Sequence, residues 1–173
     1  MLDPLLIWLE STALSQWVVA SPSLLAFPGI LALHAIGMGF AAGLSAMFDL
    51  RVLGAARSVP LAEFERYLPV LWLGFWVNAV SGVLLLIGYP TKALTNPVFY
   101  LKLLLIGVAM TLVARTRREL AAVPADQPGF MPGPSSRLRR MAIVSLVCWT
   151  GAITAGRLLA YTCSRLTVDI TCP

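Results

Sequence analysis

Residues 28–48 read PGILALHAIGMGFAAGLSAMF, a run without a single Asp, Glu, Lys or Arg. About 20 such residues, wound as a helix, cross the hydrocarbon core of a bilayer. Three more runs are nearly as apolar: 69–88 (PVLWLGFWVNAVSGVLLLIG), with no charge, 97–114 (PVFYLKLLLIGVAMTLVA), with Lys102 alone, and 141–161 (MAIVSLVCWTGAITAGRLLAY), with Arg157 alone. Pro28, Pro69 and Pro97 stand at the head of their runs, where a helix has no use for the missing N–H. Outer-membrane strands would show alternating segments of about ten residues, and these runs do not alternate. Four membrane-spanning helices are expected.

Composition points the same way. The 173-residue chain is 58% hydrophobic and 12% charged, with a mean hydropathy of +0.82. Soluble domains average about 25% charged residues, so this chain lacks the polar surface to cover a water-soluble globule. The fold class expected is an all-α membrane protein, with four transmembrane helices bundled over residues 23–163.

The net charge of +5 would suggest an acidic partner in a soluble chain. Here the basic residues follow topology instead. Arg51, Arg57 and Arg66 follow the first run, and Arg115, Arg117, Arg118, Arg137, Arg139 and Arg140 lie between the third and fourth. The opposite side carries only Lys92, Lys102 and Arg165. Because Lys and Arg in short loops mark the cytoplasmic side, both termini are expected to be periplasmic, in a bacterial inner membrane. A lipid bilayer and other membrane subunits are the expected partners. Nucleic acid is not, and no metal-ligand spacing appears.

Residues 1–22 hold Leu5, Trp8, Leu9, Ala13 and Trp17 at near-helical spacing, interrupted by Asp3 and Glu10. Two carboxylates argue against a span, and the absence of a basic leader argues against a signal peptide. An amphipathic helix lying in the interface, with its tryptophans at headgroup level, is expected. Residues 119–137 include AAVPADQPGFMPGPSS, whose prolines and glycines read as a cytoplasmic loop. In the tail, 164–173 and the residues just before it, Cys163 and Cys172 lie on the oxidising side. They are expected to close a small disulfide loop, with two free thiols as the alternative. Cys148, in mid-helix, reads as a small packing residue.

His34 is the only histidine and lies inside the first run, with Gly37, Met38 and Ala41 on its helical face. An ionisable group at that depth needs a partner within the bundle. It reads either as an axial ligand to haem, with Met38, Met110 or Met141 opposite, or as a hydrogen-bonded structural histidine, or as a contact to a pigment or quinone. Arg157, near the outer end of the fourth run, can snorkel outward or hold a carboxylate or propionate. Asn78 lies mid-run beside Gly74, Ser81 and Gly82. Gly39, Gly43, Gly74, Gly82 and Gly151 recur at spacings that let helix backbones approach closely. Asp49 and Arg51 are expected at the cytoplasmic surface, either solvated or ion-paired with Arg57, Glu63 or Glu65.

The motifs Asp49-Leu50-Arg51, Asn96-Pro97 with Lys102, and Gly156-Arg157 resemble a group of uncharacterised bacterial four-helix membrane proteins. That group is distantly similar to copper-resistance-type membrane proteins and membrane b-type cytochromes. The resemblance covers about residues 24–161 and implies a redox setting, with haem b or a pigment as cofactor. The group's pattern puts a Glu three residues before the first-helix His and a second His after the third helix. Here those places hold Leu31 and the stretch near Arg117, which removes two ligands. The expected function is a non-catalytic accessory subunit of a larger redox or photosynthetic membrane complex. The alternatives are a haem-binding electron-transfer protein using His34 and a small-solute or metal-ion permease.

The tail supplies a direct test. Cys163 and Cys172 should resist a membrane-impermeant maleimide until the protein is reduced, and reduction should cost about 2–3 kcal/mol of stability. Labelling of both thiols without reductant excludes the disulfide.

Overall fold

The structure, a computed structural model, describes residues 3–55, 65–121 and 135–161, excepting the side chains at 3, 120, 121 and 160. Among them lie seven helices and no strand: α1 (Asp3–Glu10), α2 (Ala13–Ala20), α3 (Phe27–Leu53), α4 (Leu68–Gly88), α5 (Pro90–Leu94), α6 (Pro97–Ala121) and α7 (Ser136–Tyr161). The helices α3, α4, α6 and α7 are long and apolar enough to cross a membrane. The chain is therefore all-α with four candidate spans, as its apolar runs predict. The Cys163–Cys172 pair and most of the Pro-rich loop lie outside the described residues.

Local chemistry sets the ends. Pro28 and Pro69 occupy the first turn of α3 and α4. At its far end α3 runs past Phe48 to Leu53 and stops at Gly54, whose φ of 108° is left-handed. There the Ala55 N–H closes on the Leu50 carbonyl at 2.9 Å, the 6→1 closure that glycine permits because it has no Cβ to clash. The helices α6 and α7 also exceed their apolar runs, since Arg115–Glu119 and Arg137–Arg140 continue the winding beyond the hydrocarbon. Arg137 and Glu119 meet there at 3.1 Å, an exposed pair worth at most about 1 kcal/mol.

The amino-terminal stretch, expected as one helix, is two. The Ser11 and Thr12 hydroxyls donate to the Trp8 and Leu9 carbonyls, each at 2.7 Å, which ends α1. Thr12 then accepts from the Ser15 N–H at 3.3 Å and caps α2, as Thr at an N-cap does. The second piece folds onto the end of α4. Val18 is fully buried, and its Cγ1 lies 2.9 Å from where a Cβ on Gly88 would stand. Trp8 and Trp17 remain exposed.

Packing of the long helices is built on α3, which runs against α4 on one side and α7 on the other, while α6 pairs with α7. The central core joins all four through Ala41 and Ala42 of α3, Leu71 of α4, Met110 of α6, and Cys148 and Trp149 of α7. Outward faces carry large apolar side chains, among them Leu73, Trp76, Leu104 and Val147, each at least 60% exposed. A soluble monomer does not display apolar surface on this scale, whereas hydrocarbon accommodates it.

The helices α3 and α4 approach each other to backbone contact. A Cβ added to Gly37 would lie 2.6 Å from the Asn78 nitrogen and 2.7 Å from the Gly74 carbonyl oxygen. One added to Gly74 would meet Phe40 Cβ at 2.7 Å and the Gly37 oxygen at 3.0 Å. Gly39 and Gly43, expected from their spacing to pack a helix, do not do so here: a Cβ on either meets nothing within 4 Å. They share a helical stripe with each other but not with Gly37, which lies on the face turned to α4. Gly82 makes room for the His34 ring, 3.0 Å from its Cε1, and Gly151 meets Leu105 Cδ1 at 3.0 Å. Gly37→Val or Gly74→Val should therefore cost about 1–3 kcal/mol or more by overpacking. Gly39→Val should stay within about 0.5 kcal/mol of wild type. Thermal unfolding in detergent reads both, and equal losses at Gly37 and Gly39 would refute the assignment.

Candidate functional site

One turn of α3 before the Gly37–Gly74 approach, its backbone proximity brings polar groups together inside the spans. The Asn78 side-chain amide donates to the His34 carbonyl at 2.8 Å. In return, His34 Nδ1 lies 3.0 Å from the Asn78 carbonyl. Each residue thus binds the other's backbone across the α3–α4 interface. The Ser81 hydroxyl donates to the Val77 carbonyl at 2.6 Å, with its oxygen 3.2 Å from His34 Nδ1. On the other edge of the ring, Lys102 Nζ of α6 stands 3.2 Å from His34 Nε2. The Lys102 stem rests against Gly156 of α7, with Cε 3.7 Å from a Cβ built there.

These contacts determine the protonation of the ring. A carbonyl oxygen only accepts, so Nδ1 carries the proton and donates to Asn78. An ammonium only donates, so Nε2 supplies its lone pair to Lys102. His34 is then a neutral Nδ1–H imidazole with both nitrogens used, Nε2 facing the Lys102 amine. All four spanning helices contribute to this cluster, α7 through the absence of a side chain at Gly156.

Haem does not fit this arrangement. Ligation needs a free imidazole lone pair, and the Nε2 lone pair faces Lys102. The space that Gly82 opens is taken by the imidazole itself. Of the methionines considered as opposite ligands, Met110 is buried in the apolar core and Met38 packs against it. Arg157 is exposed on α7 and is not brought into the cluster, although the neighbouring Gly156 is. Two surface depressions run along α6, one bounded by Trp72, Met110 and Arg118, the other by Leu104, Gly107 and Arg115. Neither is lined by His34 or Lys102.

A second polar group lies further along α3. Trp149 Nε1 donates to Ser45 Oγ at 2.8 Å in the buried α3–α7 interface. One turn on is Asp49, only 2% exposed. The expectation that Asp49 is solvated at the surface is thus corrected: α3 continues beyond it, and α7 covers it with Ser145.

Sequence reasoning placed His34 and Asn78 inside the membrane but weighed Lys102 as a charge in a loop count and as part of a motif, not as a partner of His34. Its signal was available, a lysine within an otherwise uncharged run, where ionisable residues are rare and have partners. The tautomer gives the test. Nitrogen-15 NMR of histidine-labelled protein should show Nδ1 protonated and Nε2 as acceptor. A predominant Nε2–H form would refute the Lys102 contact. Set against family models, curated proteins and solved structures, the chain matches none.

Proposed function

We propose that this chain is a non-catalytic accessory subunit that docks the outward face of α3 on another membrane-spanning protein. The observation that carries the reading is the open space over Gly39 and Gly43. Glycine is the poorest helix former after proline, and Gly37 and Gly74 show what this chain does with glycine where helices touch. Two more glycines four residues apart, beside the exposed Ala35, form a shallow groove that fits a second apolar helix closely. In lipid, where hydrophobicity does not drive association, such close fit is what drives it.

The larger assembly is read as a bacterial redox or photosynthetic complex. That attribution is supported by the resemblance carried by Asp49-Leu50-Arg51, Asn96-Pro97 and Gly156-Arg157. The arginine-rich connections support an inner-membrane topology with both termini periplasmic and α1–α2 in the outer interface. A second reading, a small-solute or metal-ion permease, is favoured by the His34–Lys102 pair, because ionisable groups within spans mark ion paths. It requires uptake into proteoliposomes that Lys102→Met abolishes.

The docking reading is tested with Gly39→Leu/Gly43→Leu. Wild type should co-purify with a coloured complex in mild detergent, and the variant should keep the wild-type melting temperature yet separate from that complex. Wild-type protein that leaves its native membrane as a lone chain, or a variant that stays with the complex, would overturn it.

A further inference from the structure

The two depressions on α6 belong neither to the cluster around His34 nor to the docking face of α3. The first is a cleft of about 390 Å³ between α4 and α6, walled by Trp72, Met110 and Ala114 and edged by Arg115 and Arg118. It is open because α4 packs on α3 and α6 on α7, while α4 and α6 do not pack extensively on each other. The second lies beside it on α6 itself, over Leu104, Gly107 and Leu112. Thr111 and Arg115 line both, so they form a ridge between two furrows. The furrows are apolar. Leu104 is 63% exposed, a Cβ on Gly107 would meet nothing within 4 Å, and the Thr111 hydroxyl donates within its own helix to the Gly107 carbonyl at 2.7 Å.

Arg115 and Arg118 are exposed and, three residues apart, share one helix face. Arg117 stands between them in sequence but lines neither furrow. Among the described residues neither Arg115 nor Arg118 forms an ion pair, and Glu119, the acid nearest on α6, is held by Arg137 at 3.1 Å. Two cations therefore meet at the head of two apolar furrows.

We propose that Arg115 and Arg118 hold the phosphate of one anionic phospholipid, whose two acyl chains lie in the furrows on either side of Thr111. The guanidinium fork matches phosphate oxygens, and basic sites between spanning helices bind anionic lipid headgroups. Free phosphate would leave the furrows unfilled, and a zwitterionic lipid would bring a cation of its own to the two arginines. Trp72, one turn into α4, lies at the same end of the bundle, as aromatic residues at headgroup level do. From Arg115 the second furrow runs to Leu104, about 16 Å along α6 toward the middle of the span, the direction an acyl chain takes. The site is on α6 and stands independently of the docking reading, which concerns α3.

Melting temperatures of the full chain in detergent, at constant ionic strength, test the proposal. Phosphatidylglycerol should raise the melting temperature saturably, as a ligand of the folded state does. Phosphatidylcholine with the same acyl chains should not, nor should inorganic phosphate. Arg115→Gln/Arg118→Gln should move the phosphatidylglycerol midpoint upward about tenfold or more, and Arg117→Gln should leave it in place. Gly107→Leu keeps both charges, meets no neighbour and fills the second furrow, so it should also weaken the response. Equal responses to phosphatidylglycerol and phosphatidylcholine would overturn the site. So would a midpoint that the double arginine variant does not move, that Arg117→Gln moves as far, or that Gly107→Leu leaves unchanged. An equal response to inorganic phosphate would overturn the lipid and leave an adventitious ion only. If the double arginine variant instead loses a partner protein while its lipid response is intact, the furrows belong to that protein and the proposal fails.

Discussion

The contact between Gly37 and Gly74 is where α3 and α4 come within backbone distance, and much of the interior follows from it. With any larger residue at Gly37, the Asn78 nitrogen could not stand where it does. The Asn78 amide would then be displaced from the His34 carbonyl, and His34 from the Asn78 carbonyl. Two glycines thus set the helix separation, and the reciprocal hydrogen bonds lock the register. This is the division of labour expected in lipid, where close packing supplies the association and polar groups make it specific.

From that locked pair the structure extends through α3 to α7 and from α7 to α6. Polar contacts fasten two of the helices to α3. Lys102 ties α6 to α3 through the imidazole, and Trp149 ties α7 to α3 through Ser45. Such bonds contribute no more than in water, about 1 kcal/mol each, but they are directional, whereas contacts among Leu and Val are not. The bundle thus carries two polar stations at different depths of α3, separated by the apolar core of Ala41, Ala42 and Met110.

The outer surface obeys the opposite rule. It is covered by large exposed apolar side chains, and small residues interrupt it on α3 at Gly39 and Gly43. In a soluble protein that surface would be the anomaly and the buried polar groups an expense. Within a bilayer the apolar surface is solvated by lipid, and the buried polar groups become the informative residues.

The number of spans, their approximate limits and the membrane environment were legible from the apolar runs, because hydrocarbon thickness imposes a minimum length on any helix that crosses it. His34 and Asn78 stood out for the same reason, as polar residues at a depth where they need partners. The helical period shows which residues share a face but not which face meets protein, since lipid is as apolar as leucine. Hence spacing alone did not separate Gly39 and Gly43, which look outward, from Gly37, which looks inward. Nor did it show that Lys102 reaches the His34 ring, or that α7 covers Asp49. Those facts depend on the rotation of each helix about its axis, and packing among all four helices sets that rotation.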